Sequence, residues 1–287
     1  MDARHADKLK MDWWYGTVLP TNWKLAMEAF MEGYHVMETH PQLYALTPRH
    51  NDTSGDDGKG LAPPPMPARE TVNMHIDFLA RLGAGMAGMV HQTEIDVAEK
   101  LRDMDLPEDV GAASAAFYKK LREEIKADSL ARGAPMFDLP KVAAEVEFHA
   151  VEYMFPHFFL LPMLGAMSSY RIRPLTAETC LFEIWSLVLR PEGEAFDTPT
   201  EPTILPYNSP DFPEIPKQDY ANLPIQQLGL HAGEFDFMRL SKTNEGLISN
   251  YHRLIDGYLA ELDPEKLVKA NHVVNQGFEA PIADIGF

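Results

Sequence analysis

Two histidines and a glutamate lie close together in the stretch MEGYHVMETHPQL, just before a proline. His35 and His40 are five residues apart, and Glu32 precedes His35 by three residues. On a continuous helix, at about 100° per residue, imidazoles at this spacing would point roughly 140° apart. Pro41 disfavours helical backbone at the residue before it, so the helix should end near Thr39 and let the ring of His40 turn toward His35. The two imidazoles are therefore predicted to converge at a helix end.

Converging imidazoles have two interpretations. With one carboxylate from elsewhere in the chain, they would form a two-histidine, one-carboxylate triad, which suits non-haem Fe(II) and leaves coordination positions open. Alternatively, they are surface or helix-terminal histidines that bind no metal. The single cysteine, Cys180, excludes an internal disulfide, a cysteine-based zinc site and a self-contained iron–sulfur cluster. Any metal in this chain must therefore be held by His, Asp and Glu.

The composition argues against several classes of partner. A net charge of -18 at pH 7 opposes binding to nucleic acid, whose phosphates need clustered Lys and Arg, and to an anionic membrane surface. The most apolar stretch, YMFPHFFLLPMLGAM, contains two prolines and a histidine, and it is shorter than the roughly 20 residues of a spanning helix. The start, MDARHADKLKMDWW, lacks the apolar core of a secretory signal. We therefore expect a soluble, cytoplasmic protein.

The elements that would position these residues indicate an α+β fold. Apolar residues recur at helical spacing over 22–39, over about 96–132 and in the late stretch TNEGLISNYHRLIDGYLAEL. Between them, FHAVEYMFPHFFLLP, AMSSYRIRP and ETCLFEIWSLVLRPE are typical of an antiparallel meander. Residues 50–70 are predicted to be a flexible loop, and 191–217 a proline-rich loop. We expect one domain over 1–287, with helices packed on one face of an antiparallel sheet.

The stretch NWKLAMEAFMEGYHVMETHPQL resembles the iron-binding segment of Rieske-type ring-hydroxylating oxygenases, in the catalytic domain of their large (alpha) subunit. The family pattern of Asn-Trp-Lys, Glu-x-Phe, an acid, Tyr-His and a second His is present. One departure is Ala29, which replaces the asparagine common in the family. The resemblance continues in FPHFFLLPMLGAMSSYRIRPLTAETCLFEIW, in QDYANLPIQQLGL and in GLISNYHRLIDGYL, so it covers most of the chain.

The resemblance implies a mononuclear Fe(II) ion held by His35, His40 and an aspartate from late in the chain. In the family, that aspartate begins a helix that bears Gln-x-Gly a couple of turns later. Asp219 matches, since it stands eight residues before Gln-Leu-Gly at 227–229. The nearby alternatives are Asp211 and Glu214.

Two further residues are implied to support the metal. Glu32 matches the family acid that links an iron-ligand histidine to a cluster ligand on a neighbouring subunit. Without a cluster, Glu32 would only orient His35 as a hydrogen-bond acceptor, a partner that metal-bound imidazoles usually have. Asn22, at the start of the motif, is the second candidate for this bridging or supporting role.

The resemblance also implies a helix-grip fold, in which an antiparallel sheet wraps around a long C-terminal helix, a deep hydrophobic cavity opens, and extra helices carry the metal ligands. At the iron, one or two oxygen atoms from O2 would be inserted into an apolar aromatic or polycyclic substrate. The electrons would come from a Rieske [2Fe–2S] centre. Because the chain opens almost directly on the catalytic segment, we expect no Rieske domain here and an electron donor on another chain.

Two expectations stay open. Assemblies of the family are often three-fold, so a homotrimer is one expectation for this chain. The alternative to an enzyme is a non-catalytic helix-grip protein that binds a hydrophobic ligand.

Six residues are predicted to line the substrate pocket on weaker grounds. They are methionine or aromatic side chains of apolar segments, and histidines that flank the glycine-rich stretch 83–88: Met86, Met89, His75, His91, Phe158 and Met167. That stretch, GAGMAG, matches the dinucleotide fingerprint G-x-G-x-x-G, which requires a βαβ framework. Since the chain indicates a meander, a glycine bend at the mouth of a pocket is the preferred interpretation.

Overall fold

The computed structural model describes residues 2–44, 66–86, 88–146, 149, 151–234, 236–274 and 281–285. Two short 3-10 helices, Asp2–Arg4 and Ala6–Lys8, precede the first strand. The strands are β1 (Lys10–Leu19), β2 (Glu152–Met154), β3 (Phe158–Pro162), β4 (Met167–Pro174), β5 (Cys180–Val188) and β6 (Thr203–Ile204). The helices are α1 (Trp23–Glu28), α2 (Val36–Thr39), α3 (Pro41–Tyr44), α4 (Ala68–Met86), α5 (Gln92–Glu99), α6 (Val110–Ala131), α7 (Leu139–Glu145), α8 (Glu214–Leu230), α9 (Gly246–Leu259) and α10 (Pro264–Val273). Within these ranges, no helix combines the length and the hydropathy needed to cross a membrane.

The strands form one sheet in the order β2-β3-β4-β5-β1-β6. Strands β2 to β5 are consecutive antiparallel neighbours, which confirms the predicted meander. The sequence pattern did not predict β1, which pairs antiparallel with β5 from Lys10 to Leu19 and has an irregularity between Met11 and Trp13. The short β6 pairs with β1 in parallel. With its helices, the described chain has the mixed α+β class that the sequence predicts.

One face of the sheet carries a buried aromatic cluster. Successive residues of a strand point to opposite faces, and on this face β3, β4 and β5 present Phe159, Tyr170 and Phe182. Phe30, from the segment after α1, packs on these three rings with centroid distances of 4.5, 5.4 and 6.0 Å. Tyr220 of α8 lies edge-on to Phe182 at 5.0 Å. The segment after α1 and the helix α8 are therefore fixed against the same part of the sheet.

The opposite face of the sheet holds a buried ion-pair cluster. Glu183 of β5 has a fully buried side chain and accepts two hydrogen bonds from Arg171, at 2.9 and 3.0 Å. Arg173 donates a third at 3.0 Å. A buried carboxylate requires such partners, because an unpaired charge in the interior costs several kcal/mol. The cluster therefore ties β4 to β5 on the face away from the aromatic cluster.

The helix predicted over 22–39 is interrupted. α1 ends at Glu28 and α2 begins at Val36, so residues 29–35 are not helical over their length. The Tyr153 hydroxyl donates a hydrogen bond to the carbonyl oxygen of Phe30, and the Glu32 carboxylate accepts one from the backbone N–H of His35. These bonds replace the regular helical pattern. Because one of them comes from a strand far away in sequence, the periodicity of the segment could not reveal it.

The two predicted loops differ from the structure at their ends. The loop over 50–70 lies outside the described residues up to 65, and from Ala68 onward the chain is already α4. The loop over 191–217 contains β6 and ends earlier, since α8 begins at Glu214. Pro216 then lies in the first helical turn, where proline is tolerated because that N–H has no intrahelical partner.

The predicted C-terminal amphipathic helix is present as α9. Its Tyr251 packs edge-on against Trp23 of α1 and against Phe155, and donates a hydrogen bond to the carbonyl oxygen of Pro156. α9 therefore lies against α1 and the turn between β2 and β3. The more specific helix-grip arrangement remains a prediction.

The glycine-rich stretch contributes to helix packing. Gly83 and Gly85 lie within α4, so the predicted bend is wrong for this part of the stretch. A Cβ atom at Gly85 would lie 2.7 Å from Cδ1 and 2.9 Å from Cγ1 of Ile215, in the first turn of α8. The absence of a side chain at Gly85 therefore sets how closely α4 approaches the helix that carries Asp219.

Candidate metal centre

His35 is held by the glutamate three residues before it. The Glu32 carboxylate accepts a hydrogen bond from the backbone N–H of His35 at 3.1 Å and lies 2.5 Å from the ring Nδ1. Glu32 is buried, whereas 21% of the His35 side chain is exposed. Because Nδ1 is engaged by a carboxylate, Nε2 is the ring nitrogen that can act as a ligand.

His40 lies where the proline predicts it. It follows the last residue of α2 with φ -121° and ψ 64°, outside the helical region, and Pro41 begins α3. This confirms that the helix ends just before His40. Its side chain is buried, with 4% exposed, and its Nε2 lies 3.1 Å from Oδ1 of Asp219.

Asp219 completes the group from α8. Its side chain is 6% exposed, and its Oδ1 lies 4.0 Å from Nε2 of His35. One donor atom from each of His35, His40 and Asp219 falls within 4.8 Å of the others. With metal–ligand bonds of about 2.1 Å, two ligand atoms at a right angle are roughly 3 Å apart. The distances between the three donor atoms therefore fit their convergence on one ion. Asp211 and Glu214, the alternative acids, do not belong to this group.

The donor set therefore fits a non-haem iron ion. Two imidazoles and one carboxylate form the facial triad that iron(II) oxygenases use. Each ring turns Nε2 toward the carboxylate and Nδ1 away from it. The second nitrogens are both occupied by acceptors, as is usual for metal-bound histidines.

The charge state of His40 follows from its surroundings. Burial lowers the pKa of His40, but the hydrogen bonds to Asp219 and Gln218 and the charges of Asp219 and Glu32 together outweigh burial, so the pKa lies above its ordinary value. Without a metal ion, His40 beside Asp219 therefore holds its second proton to a higher pH than an ordinary histidine does. A metal ion has to displace that proton.

Asn22 lies at the start of α1, where it caps the helix. Its side-chain oxygen accepts a hydrogen bond from the backbone N–H of Lys24 at 2.9 Å, and its amide donates to the carbonyl oxygen of Ala177 at 2.8 Å. Its own backbone N–H donates to Oε1 of Gln227 at 2.9 Å. Since Gln227 lies two turns after Asp219 on α8, the contacts of Asn22 connect the helix before the histidines to the helix of the aspartate.

Two of the three predicted pocket methionines, Met86 and Met89, belong to the buried core cluster, and Met167 lies on the other face of the sheet. Met86 has its Sδ 3.7 Å from the hydroxyl of Tyr170, at the aromatic cluster. Met89 is buried in the core, and Met167 is buried with 2% exposed. Met167 and Tyr170 are three residues apart in β4, so Met167 points to the face of the sheet opposite the aromatic cluster. Of the three, only Met86 is seen in contact with that cluster.

The other predicted pocket residues lie apart from the metal group. His75 lies 3.2 Å from Oγ of Ser114 in α6, and His91 lies 2.8 Å from Oγ of Ser186 in β5. His91 also borders a cavity of about 440 Å³ whose lining residues include none of the three metal-group residues. Phe158 neighbours Phe159 in β3 and therefore points away from the aromatic cluster. His75 and His91 were predicted because they flank the glycine-rich stretch, and Phe158 because it is an aromatic residue of an apolar segment. Neither ground determines which way a side chain points.

Sequence reasoning missed two glutamines. Gln218 lies 2.7 Å from Nδ1 of His40, and Gln42 donates to the same Gln218 oxygen at 2.9 Å. The only sign of them in the sequence was their position: Gln218 directly precedes Asp219, and Gln42 follows Pro41. Polar residues beside ligands are common on surfaces, so position alone did not single them out.

Comparison with known proteins gives the family of this fold and site. The family described as ring hydroxylating alpha subunit (catalytic domain) matches residues 1–261 of the 287. A search of the curated proteins found no match. The matched range contains the histidine segment and α8, and it confirms the resemblance seen in the sequence. Such membership supports a ring-hydroxylating oxygenase, an oxidoreductase of the Rieske type. The chain belongs to the family of ring hydroxylating alpha subunits, and it matches the catalytic domain of that family.

Proposed function

We propose that this domain hydroxylates an apolar ring compound with O2 at a mononuclear Fe(II) ion bound by His35, His40 and Asp219. The observation that carries the proposal is the approach of both Nε2 atoms to one carboxylate oxygen, at 3.1 and 4.0 Å. Zinc sites with thiolate ligands are a poor alternative, since Cys180 is buried in β5 and the group contains only nitrogen and oxygen donors. The family of the chain supports the same reaction class.

The chain itself supplies orientation and electrostatics. Glu32 holds the His35 ring through Nδ1 and strengthens Nε2 as a donor. Asp219, buried beside His40, supplies a negative charge in a place where water screens it little. Bound there, a ferrous ion would supply the activation of dioxygen that ring oxidation needs. The metal group would thus determine where that ion is held, and Glu32 would determine how the His35 ligand is oriented.

We propose an apolar aromatic or polycyclic substrate. The supporting observation is the aromatic cluster that packs beside the metal-ligand segment. Phe30, two residues before Glu32, packs at a tilt against Phe159 and Tyr170, and Tyr170 contacts Met86. Aromatic and methionine side chains offer a polarizable surface that suits a flat apolar ring. Among the predicted pocket residues, Met86 is therefore the one that we assign to the substrate-facing side of this aromatic cluster.

We further propose that the electrons come from a Rieske [2Fe–2S] centre whose ligands lie outside these 287 residues. Such a centre needs two cysteines and two histidines, and the sequence has one cysteine, Cys180. Glu32 supports this proposal, because it is bonded to His35, the more exposed of the two histidines. An electron donor that approaches this side would meet His35 first, with the buried Glu32 hydrogen-bonded behind it.

An anaerobic Fe(II) titration tests the site. The wild type should bind one ion tightly per chain, and His35→Ala should lose that binding. His272→Ala is the matched control, because His272 is an exposed histidine of α10. Equal and weak binding by the wild type and His35→Ala would contradict the proposal and favour a protein that only binds a hydrophobic ligand. Turnover is then tested by coexpression with a Rieske donor and analysis of ring-hydroxylated products.

A further inference from the structure

The two histidines of the metal group are held by different kinds of acceptor. Nδ1 of His35 faces the carboxylate of Glu32 at 2.5 Å, whereas Nδ1 of His40 faces the amide oxygen of Gln218 at 2.7 Å. An amide oxygen accepts a hydrogen bond without bringing a charge. The buried histidine therefore has a neutral acceptor, and the more exposed one has an anionic acceptor.

A single helix contacts both nitrogens of the His40 ring. Gln218 and Asp219 are consecutive residues of α8, and they reach Nδ1 and Nε2 respectively. Since α8 is packed against α4 through Ile215 and against the sheet through Tyr220, both contacts come from one rigid support. The ring cannot rotate or flip without losing one of them.

Gln42 and Gln218 form a reciprocal amide pair. Nε2 of Gln42 donates to Oε1 of Gln218 at 2.9 Å, and Nε2 of Gln218 donates to Oε1 of Gln42 at 3.2 Å. If the Gln218 amide turned over, its NH2 group would face the NH2 group of Gln42 and the oxygens would face each other. The pair thus holds the two amides in one relative orientation, and in the orientation observed the oxygen of Gln218 faces Nδ1 of His40.

We propose that Gln218, oriented by Gln42, is a positioning residue that keeps the proton of His40 on Nδ1 and turns Nε2 toward the metal ion. The inference rests on the proposed function, because it assigns a role around the same ion. Loss of a hydrogen-bond partner of a metal-bound histidine typically weakens metal binding about 10- to 100-fold. Gln218→Leu should weaken Fe(II) binding by about this factor, and Gln42→Leu should weaken it less, because Gln218 itself remains.

Matched variants separate positioning from a general structural effect. Gln226→Leu makes the same change at an exposed position of α8 and should leave Fe(II) affinity unchanged. Gln218→Glu restores an oxygen acceptor and should bind Fe(II) at least as tightly as the wild type. Circular dichroism and thermal melting of the metal-free variants establish whether each is folded. If Gln218→Leu does not fold, Gln42→Leu and Gln218→Glu still test the proposal.

The position of the ring proton is read directly by NMR. In the zinc-loaded protein, long-range ¹H–¹⁵N spectra report which nitrogen of His40 carries the proton and which binds the metal. The wild type and Gln218→Glu should show a protonated, slowly exchanging Nδ1, and Gln218→Leu should show faster exchange of that proton. Wild-type affinity and wild-type exchange in Gln218→Leu would overturn the inference.

The failure of this inference differs from the failure of the metal site. If the wild type and His40→Ala bind Fe(II) equally weakly, the proposed function fails and the inference fails with it. If the wild type binds tightly, His40→Ala does not, and Gln218→Leu behaves as the wild type, only the role of Gln218 is overturned.

Discussion

Nε2 of His40 faces Asp219 at 3.1 Å. When the ring is cationic, its second proton is on this nitrogen, which is also the nitrogen that a metal ion needs. Burial lowers the pKa of His40, but the hydrogen bonds to Asp219 and Gln218 and the charges of Asp219 and Glu32 together raise it by a larger amount. The pKa of His40 in the metal-free protein therefore lies above the ordinary value. A raised pKa means that the proton stays bound to a higher pH. Metal affinity should therefore be weak below this pKa and rise as the pH increases through it.

Fe(II) titrations under anaerobic conditions, repeated from mildly acidic to alkaline pH, check this dependence. The control His272→Ala should follow the same curve as the wild type. An affinity that is constant across this range, or that falls as the pH rises to neutrality, would show that no proton is displaced from His40.

The Glu32 carboxylate accepts two hydrogen bonds from His35, one from the backbone N–H and one from the ring Nδ1. Glu32→Ala removes both acceptors and should weaken Fe(II) binding about 10- to 100-fold. Glu32→Gln keeps an acceptor oxygen and should lose less. Glu38→Ala, an exposed glutamate of α2, is the control. Similar losses in Glu38→Ala and Glu32→Ala would mean that net charge, and not the bond to His35, supports the ion.

At the scale of elements, the position of Asp219 depends on how closely α8 approaches α4. Gly85→Ala places a Cβ 2.7 Å from Cδ1 of Ile215, so the Ile215 side chain or one of the two helices must shift. Overpacking of this kind typically costs about 1–3 kcal/mol, and a shift of α8 should also weaken Fe(II) binding. Urea unfolding gives the free energy of unfolding, and metal titration gives the affinity.

A second glycine supplies the control for this substitution. A Cβ at Gly229, also in α8, meets no atom within 4 Å. Gly229→Ala should therefore leave metal binding unchanged and stabilise the helix by up to about 1 kcal/mol, because alanine has the higher helix propensity. If both alanine variants have the same stability, close packing at Gly85 does not set the spacing of the helices.

The sequence predicted those elements whose pattern is local. β4 and β5 were predicted because aromatic and β-branched residues mark them, and the end of α2 was predicted because Pro41 acts on its direct neighbour. The break after α1 depends on Tyr153, which is distant in sequence. α8 was partly predicted as loop, because its first turn contains proline, although proline is compatible with a first turn.

The same division holds for the candidate site. His35, His40 and Asp219 could be singled out because a motif places them, and the structure then brings them to within 4.8 Å. The partners of their other ring atoms are less visible in sequence. Glu32 was visible because it lies only three residues before His35, whereas the contact of Gln218 with His40 joins residues 178 positions apart. Only the packing of α8 against the histidine segment reveals it.

At the scale of the whole molecule, the metal group joins distant parts of the chain. His35 and His40 come from the segment after α1, and Asp219 comes from α8 after the entire meander. The unfolded chain cannot hold these three groups together without the large loss of entropy that closes so long a loop. A metal ion therefore binds the folded state selectively.

This selectivity predicts that the ion stabilises the whole fold. A ligand that binds only the folded state adds about 2.7 kcal/mol when its free concentration is 100 times the Kd. Anaerobic thermal melting should therefore show a Tm that rises with Fe(II) concentration, and a chelator should reverse the rise. Asp219→Asn removes the carboxylate that the two imidazoles share, so its Tm should be independent of Fe(II), while His272→Ala should follow the wild type. If Fe(II) raised the Tm of Asp219→Asn as much as that of the wild type, the ion would be binding elsewhere, and the group that joins the two ends of this domain would not be its site.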